Sequence, residues 1–174
     1  TRPQRVLHIA PEWSLQRRLR RIGHLDYTSA DLDSGLADEH FDVTAIPHPD
    51  ASFDVIICNH VLEHVDDDRA AMRELRRVLR PGGWAVLMVP IGVDRDDTLE
   101  DPGITTSEQR TAAYGQFDHV RLYGHADYLA RLREAGFDAE EIDELASTPQ
   151  EEIERQQMRR KDGRFAPDTI FVGR

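Results

Sequence analysis

Three acidic residues near the amino end of the chain follow segments that are predicted to be β-strands. Glu12 comes just after the apolar run "VLHIA", Asp31 ends "LDYTSAD", and Asp42 lies in "HFDVT". Ligands of open α/β sheets bind outside the carboxyl ends of the strands, so these carboxylates are candidate ligand contacts. An acid at the end of the second strand is well placed to accept hydrogen bonds from both hydroxyls of a ribose. Each residue also has a plainer interpretation, because acids are common in turns and in the first turn of a helix.

Histidines form the second set of candidates. His60, His64 and His119 are candidate general bases, because an imidazole can take up a proton near neutral pH. His119 lies in "GQFDHVRLYG", where Asp118 can orient its ring and Arg121 can hold an acidic group of a substrate. His64 is equally interpretable as a packing or supporting residue. Further predicted substrate contacts in this region are Tyr114, Gln116 and Tyr123.

A competing motif overlaps these histidines. The stretch "HVLEH", from His60 to His64, has the H-x-x-E-H pattern of inverted zinc metallopeptidases. Two histidines four residues apart on a helix can bind zinc, with the glutamate between them as a base. That chemistry requires a long helix, whereas this motif directly follows a buried strand, and no later helix offers an obvious third ligand. A zinc hydrolase is therefore the weaker alternative, and no metal site is predicted.

The elements that must position these residues alternate between strands and helices, which predicts a mostly parallel sheet with crossover helices. A helix is predicted from the Asp66 region, with "RPGG" ending it through a left-handed glycine cap. "FDAEEIDEL" can begin as a strand, and "EEIERQQMRRKDG" is predicted to be a charged surface helix. The other predicted strands cover residues 5–10, 25–31, 40–44, 52–59, 84–90 and 168–174, and the other helices cover 13–22 and 126–136.

Composition excludes several classes of protein. The 174 residues predict one domain, and the net charge of −11 argues against nucleic-acid and anionic-membrane partners. The lone cysteine, Cys58, excludes a disulfide framework. Neither a stretch of transmembrane length nor a signal-peptide pattern is found, so a cytoplasmic protein is expected. Residues 91–124 lack periodicity but contain aromatic residues, which predicts an ordered lid over an active site.

The order of motifs resembles that of class I S-adenosylmethionine-dependent methyltransferases. The resemblance rests on "SFDVIICNHVLEHVDD", "AMRELRRVLRPGGWAVLMVP" and "RLREAGF" and covers nearly the whole chain from Val6. The stretches "LHIAPE" and "EDPGITTSEQRTAAYGQFDHVRLYG" resemble, more narrowly, a branch whose first motif reads LHFAPE in place of the glycine-rich sequence. A dinucleotide needs a glycine turn for its phosphates, whereas S-adenosylmethionine has none, so the missing glycines weigh mainly against NAD or FAD.

The resemblance implies a role for each residue of the predicted cofactor site. Asp31 and Leu32 should contact the ribose and adenine. Asn59 and His60 should line the methionine end. At the adenine edge the implied residues are Asp42, Val43 and Thr44. At the first turn the backbone of Ala10 and Pro11 should face the amino-acid tail, and Glu12 can pair with the ammonium of that tail or with ribose hydroxyls. His8 takes the place of an acid that is usual in the family.

The resemblance also implies the fold and the reaction. We expect a Rossmann-like three-layer α/β sandwich with a seven-stranded, mostly parallel sheet whose last strand, "DTIFVGR", is antiparallel. The expected activity is methyl transfer to an oxygen or nitrogen of a small, biosynthetic acceptor. The pocket is expected to be open, or completed by the lid or by a partner chain, including a second copy. A non-catalytic partner subunit with the same fold is the other alternative, because fold alone does not establish chemistry.

Overall fold

The computed structural model describes residues 2–92, 94–142 and 168–173. Its strands are β1 (Gln4–Ile9), β2 (Leu25–Asp31), β3 (Glu39–His40), β4 (Phe53–Asn59), β5 (Leu79–Pro90), β6 (Ala139–Ile142) and β7 (Asp168–Gly173). Its helices are α1 (Trp13–Leu19), α2 (Asp68–Val78), α3 (Ser107–Tyr114) and α4 (His125–Glu134), with a 3₁₀ helix at Leu62–His64. None of the described helices has both the length and the apolar character needed to cross a bilayer.

The strands form one seven-stranded sheet in the order β3-β2-β1-β4-β5-β7-β6. Strands β1 to β5 run parallel, and β7 is antiparallel to both of its neighbours. The predicted fold is therefore confirmed, including the antiparallel last strand. Because β1 lies between β2 and β4, the strand order reverses direction between β1 and β4. Ligands of doubly wound sheets bind at the carboxyl edge beside such a switch point.

The core explains why the central segments read as continuous apolar runs. Along β4, Phe53, Val55, Ile56, Ile57 and Cys58 are all buried, because helices or loops cover both faces of the sheet. The α2 helix packs one apolar face on this core through Ala71, Met72, Leu75 and Val78. Cys58 is a free thiol within the core, where burial raises its pKa.

The "RPGG" sequence departs from its predicted role. Helix α2 ends at Val78, and the chain is already extended at Leu79. The four residues instead belong to β5, at a bulge where the pairing register with β4 shifts between Phe53 and Val55. Gly82 does adopt a left-handed conformation, at φ 77°, but within this bulge and not as a helix cap. At Gly83 a Cβ atom would lie 2.7 Å from the Asp54 carbonyl oxygen, so close packing also requires glycine.

Three other segments differ from the prediction. The strand predicted at "HFDVT" is limited to Glu39–His40, so Asp42 follows the strand and lies in a turn. The segment 91–124 contains α3, which begins with a capping box formed by Thr106 and Gln109 and ends at Gly115 in the left-handed conformation. Helix α1 is shorter than predicted and ends at Leu19. The predicted charged helix "EEIERQQMRRKDG" lies outside the described residues.

Candidate active site

A cavity of about 240 Å³ opens at the carboxyl edge of the sheet, around the ends of β1, β2 and β4. Seven residues that the sequence singled out line it, and they come from five separate stretches of the chain. These are Ala10, Asp31, Leu32, Asp42, Val43, His60 and His64. The five remaining lining side chains are all apolar, namely Ile9, Ala30, Phe41, Val61 and Val65. Sequence reasoning did not single out these apolar residues, because their types alone do not distinguish a cavity wall from a core.

The backbone at the cavity adopts an unusual conformation in two places. Ala10, directly after β1, has φ 47°, and His60, directly after β4, has φ 54°. Residues with a Cβ adopt this left-handed region rarely and at a cost of about 1–2 kcal/mol. The first turn therefore keeps a conformation that glycine favours, although it contains no glycine. Strain of this kind is concentrated at functional sites, and here it flanks the switch point on both sides.

Asp31 and Asp42 each use one carboxylate oxygen to hold their own turn. The Oδ1 atom of Asp31 accepts hydrogen bonds from the amides of Asp33, at 2.9 Å, and Ser34, at 2.8 Å. The Oδ1 atom of Asp42 accepts from the amide and the hydroxyl of Thr44, at 2.8 and 2.7 Å. Both Oδ2 atoms lack a hydrogen-bond partner within the described residues. The turn interpretation and the ligand interpretation are thus compatible, because each carboxylate has two oxygens.

Glu12 belongs to a polar chain that crosses from β1 to β4. Its Oε2 lies 2.7 Å from Nε2 of His8, and its Oε1 accepts a hydrogen bond of 3.0 Å from the Asn59 side chain. The other ring nitrogen of His8 lies 2.8 Å from the Tyr27 hydroxyl. Although Glu12 precedes α1, its side chain makes no capping hydrogen bond, so its geometry is not that of a helix-start acid. Pro11 follows in the same turn but does not line the cavity.

Burial and charge determine the protonation of this chain. His8 is fully buried, which lowers the pKa of its ring, although the neighbouring Glu12 acts in the opposite direction. Burial alone would raise the pKa of Glu12, but the hydrogen bonds from Asn59 and His8 outweigh it and lower that pKa. The result is an ionised, partly exposed carboxylate beside the switch point, with a neutral histidine behind it. His8, a residue of β1, thus orients the Glu12 carboxylate through their hydrogen bond.

The predicted catalytic residues do come together. Nδ1 of His64 lies 3.5 Å from Oδ2 of Asp118, and the rings of His64 and His119 meet edge to face at 4.7 Å between centroids. Burial opposes ionisation of Asp118, yet a 2.9 Å hydrogen bond from Gln116 and the charge of His64 lower its pKa. His64 lines the cavity, whereas His119 is only 6% exposed behind it. His64 is therefore better placed than His119 to reach a ligand.

Three predicted substrate contacts prove to be internal. Arg121 is 4% exposed and donates hydrogen bonds to the carbonyl oxygens of Leu62 and Asp66, both at 2.9 Å, as well as to Glu100. Tyr123 is fully buried, and its hydroxyl donates to Asp68 at 2.7 Å. The Tyr114 hydroxyl bonds the backbone of Asp101. These groups are engaged in contacts within the protein, which favours a structural role, and substrate binding by them stays a prediction.

The segment 91–124 is partly integrated into the fold. Ile91 and Tyr123 form a parallel bridge, and Leu99 and Leu122 form an antiparallel one, so both ends of the segment are tied together. Phe117, in contrast, is 61% exposed. The segment thus contains α3 and two bridges that tie its ends together, whereas its role as a lid over a ligand stays a prediction.

The geometry required for an inverted zinc peptidase is not formed. Such a site needs both histidines on one α-helix, whereas His60 lies in a left-handed turn and only Leu62–His64 are helical, as a 3₁₀ helix. His60 and His64 therefore do not share a helix face. The structure therefore does not support the zinc hydrolase alternative.

Comparison with known proteins shows which family the chain is similar to. A family described as "Methyltransferase domain" matches residues 10–87, from the left-handed turn at Ala10 into β5. The 27-O-demethylrifamycin SV methyltransferase of Amycolatopsis mediterranei (strain S699) is 32% identical over 134 residues, which are 75% of this chain and 46% of that protein. The chain belongs to the class I S-adenosylmethionine-dependent methyltransferases. Within that family, membership of the branch with an LHFAPE-type first motif stays a prediction.

Solved structures of the family share the fold. An S-adenosylmethionine-dependent methyltransferase from Mesorhizobium loti matches with a TM-score of 0.66 at 16% identity, covering 99% of this chain and 92% of that one. The Burkholderia thailandensis 1,6-didemethyltoxoflavin-N1-methyltransferase, with 1,6-didemethyltoxoflavin and S-adenosylhomocysteine bound, matches with a TM-score of 0.61 at 15% identity, covering 99% of this chain and 71% of that one. The chain spans about half the length of the rifamycin relative.

Proposed function

We propose that the chain binds S-adenosylmethionine in the cavity at the carboxyl edge and transfers its methyl group to an oxygen or nitrogen of a small acceptor. One observation carries the proposal: the cavity joins two carboxylates, Asp31 and Asp42, to the left-handed turn at Ala10 across the switch point. The acceptor class is supported by relatives whose names specify a rifamycin oxygen and a toxoflavin nitrogen. The net charge of −11 favours such acceptors over nucleic acids.

The first turn offers few free hydrogen-bond donors but several acceptors, which suits a cofactor without phosphates. The amide of Ala10 already donates to the Ala30 carbonyl at 2.8 Å, and Pro11 has no amide hydrogen. A pyrophosphate would need several free backbone amides here, whereas an ammonium and hydroxyl groups need acceptors. Glu12 and Asp31 supply carboxylate oxygens for those donors. The residues of this turn therefore fit S-adenosylmethionine better than a dinucleotide.

The remaining contacts follow from position along the cavity. Asp31 at the end of β2 accepts hydrogen bonds from the ribose hydroxyls, and Leu32 and Val43 pack on the adenine. The Oδ2 atom of Asp42 accepts from the adenine amino group. The bound cofactor supplies an electrophilic methyl group, and the chain aligns the acceptor for in-line displacement. His60 and His64 line the cavity on the β4 side, where His64, oriented by Asp118, takes the proton of a hydroxyl acceptor.

Isothermal titration calorimetry with S-adenosylmethionine and S-adenosylhomocysteine tests the cofactor site. Asp31→Asn should weaken both affinities about 10- to 100-fold, because it removes charge-assisted hydrogen bonds that contribute about 1.5–3 kcal/mol. The control is Asp33→Asn, which removes the same charge from the same loop at an exposed residue and should bind as the wild type does. If the wild type binds neither ligand, the chain is a non-catalytic relative of the family and the proposal fails.

The base is tested by turnover once an acceptor is found among phenol and hydroxyl compounds. His64→Ala should lower kcat about 100-fold or more with little effect on cofactor affinity, because general bases contribute about 10²–10⁴-fold. His119→Ala, behind it, should have a smaller effect on kcat. Full turnover in His64→Ala would refute the assignment of His64 as the base.

A further inference from the structure

Three side chains with metal-ligating atoms meet behind the β4 side of the cavity. Glu63 and His64 come from the 3₁₀ helix Leu62–His64, and His119 comes from the segment that follows α3. One ligand atom from each lies within 4.8 Å of the others. Ligands about 2.1 Å from a common ion can be at most about 4.2 Å apart, so side-chain movements below ~1 Å would bring all three onto one ion.

Glu63 lacks the partners that a buried carboxylate normally has. Its side chain is 1% exposed, and neither oxygen has a hydrogen-bond partner in the part of the chain that the structure describes. The nearest basic group is Nδ1 of His60, which lies 3.5 Å from Oε1. A buried carboxylate is unfavourable unless hydrogen bonds or a positive charge compensate for lost hydration. A metal ion at this place would supply that charge.

His119 is oriented as metal-binding histidines are. Its Nδ1 lies 3.3 Å from the carbonyl oxygen of Tyr114. Because a carbonyl oxygen only accepts, Nδ1 carries the hydrogen, and the Nε2 lone pair of the neutral ring is then available to a ligand. Histidine ligands usually donate their other ring N–H to a carbonyl or carboxylate in this way. Asp118, 3.5 Å from His64, adds an acidic group at the edge of the cluster.

The scaffold holds the two contributing segments together. The amide of Val120 donates to the Glu63 carbonyl at 2.9 Å, directly joining the segment that contains His119 to the 3₁₀ helix. The Arg121 guanidinium bonds the carbonyl oxygens of Leu62, Val65 and Asp66 around the same turn. These hydrogen bonds hold the two segments that carry the three side chains next to each other, which is the support that a precise site requires.

We propose that Glu63, His64 and His119 bind one divalent transition-metal ion, of the Zn²⁺ or Mn²⁺ class. Two imidazoles and one carboxylate are a typical ligand set for such ions. This site differs from the H-x-x-E-H pattern, because its second histidine is His119 and not His60. His64 also lines the cavity, so an ion held by it would lie beside a bound acceptor and could polarise the acceptor's hydroxyl group. In that metal-bound form His64 would be a ligand, and its role as the general base applies to the metal-free protein. That catalytic consequence rests on the proposed methyl transfer, whereas metal binding itself does not.

Calorimetry on the full chain, without a histidine tag and after chelator treatment, tests the site with ZnCl₂ and MnCl₂. The wild type should bind one ion, and electron paramagnetic resonance should show the loss of free Mn²⁺. Glu63→Gln and His119→Ala should each weaken binding at least about 100-fold, since even supporting residues of metal sites contribute 10–100-fold. The control is His24→Ala, which removes an exposed histidine away from the cluster and should leave metal affinity unchanged.

A folding control keeps the result interpretable. Glu63 and His119 are buried, so circular dichroism and thermal unfolding are recorded for each variant. His64→Ala, at a side chain that is 30% exposed, is a second variant that should fold and still lose the metal. Absence of binding of both ions by the wild type, or equal affinity in folded Glu63→Gln or His64→Ala, overturns the proposal.

The test of metal binding can fail independently of the test of cofactor binding. S-adenosylmethionine affinity is measured in parallel on the metal-free protein. Cofactor binding without metal binding refutes the metal site alone, and metal binding without cofactor binding refutes the proposed function alone.

Discussion

Glu12 lies at the first turn, which lacks glycine, and its contacts indicate how it can take part in ligand binding. It is held by His8 on one side and Asn59 on the other, and its lowered pKa keeps it ionised. Its side chain is 41% exposed, so solvent weakens its interaction with a ligand charge. Glu12 is therefore expected to contribute to cofactor binding without dominating it.

Replacement of this acid separates its two roles. Glu12→Gln should weaken S-adenosylmethionine binding about 3- to 10-fold, because a partly exposed ion pair contributes up to about 1 kcal/mol and its support of Asn59 is also altered. Calorimetry measures the change, and Glu108→Gln, an exposed acid in the first turn of α3, is the matched control. An unchanged affinity would mean that Glu12 only joins His8 to Asn59.

Ala10 allows the strain in the first turn to be measured. At φ 47° a β-branched residue is strongly disfavoured, so Ala10→Val should lower the free energy of unfolding by about 2 kcal/mol. Ala10→Gly should change it by less than about 1 kcal/mol, because relief of strain offsets the greater entropy of the unfolded chain. Urea denaturation gives both values. Ala45→Val, at an exposed residue whose backbone is not left-handed, should have little effect, and equal costs at the two positions would contradict the strained turn.

At the scale of elements, the buried polar cluster between α2, α4 and the segment 91–124 explains why that segment is ordered. Asp68 at the start of α2 accepts hydrogen bonds from Tyr123, at 2.7 Å, and Arg131, at 2.9 Å. Arg131 also bonds Glu100, and so does Arg121. The charges are paired and hydrogen-bonded, which is the condition under which a buried ionic cluster is tolerated. Sequence alone does not reveal these pairs.

Arg121 tests this structural role. Arg121→Lys keeps the charge but cannot donate to several carbonyl oxygens at once, so the free energy of unfolding should fall by about 2–3 kcal/mol. Arg69→Lys, at an exposed pair with Glu134, should stay within about 0.5 kcal/mol of the wild type. Chemical denaturation measures both. If Arg121→Lys left stability intact and weakened only acceptor binding, the arginine would be a substrate contact after all.

The elements also show which features a sequence can predict. Alternating patterns predicted the parallel sheet, and sheet polarity then placed Asp31 and Asp42 at one edge, because both features depend on local order along the chain. The contact of Glu12 with Asn59 joins residues 47 positions apart, and no local pattern encodes it. Arg121 looked like a surface clamp for the same reason, since its burial depends on a 3₁₀ helix 59 residues away. The sequence did not indicate Glu63 as a metal ligand outside the zinc motif. Its burial without hydrogen-bond partners results from the packing of the folded core, which no local pattern encodes.

At the scale of the whole molecule, the parallel strands give the sheet two unlike edges. The carboxyl edge carries the cavity, the left-handed residues Ala10 and His60, and the acidic side chains that line the cavity, whereas the amino edge carries structural ion pairs and a third left-handed residue, Ala51. At that edge, hydrogen bonds from Arg5, Arg80 and Arg2 outweigh the effect of burial and lower the pKa of Asp54 to about 2. A ligand that binds the carboxyl edge should therefore leave the amino edge unaffected.

Hydrogen–deuterium exchange tests this asymmetry. With S-adenosylhomocysteine at about 100 times its Kd, the folded state should gain about 2.7 kcal/mol. Local protection should concentrate in peptides covering residues 9–12, 31–34, 42–44 and 59–61, because their backbone surrounds the cavity. Peptides covering residues 2–5 and 51–54 should gain only the smaller, global protection. Asp31→Asn at the same ligand concentration should lose most of the local effect, whereas protection centred on the amino edge would place the ligand elsewhere on the molecule.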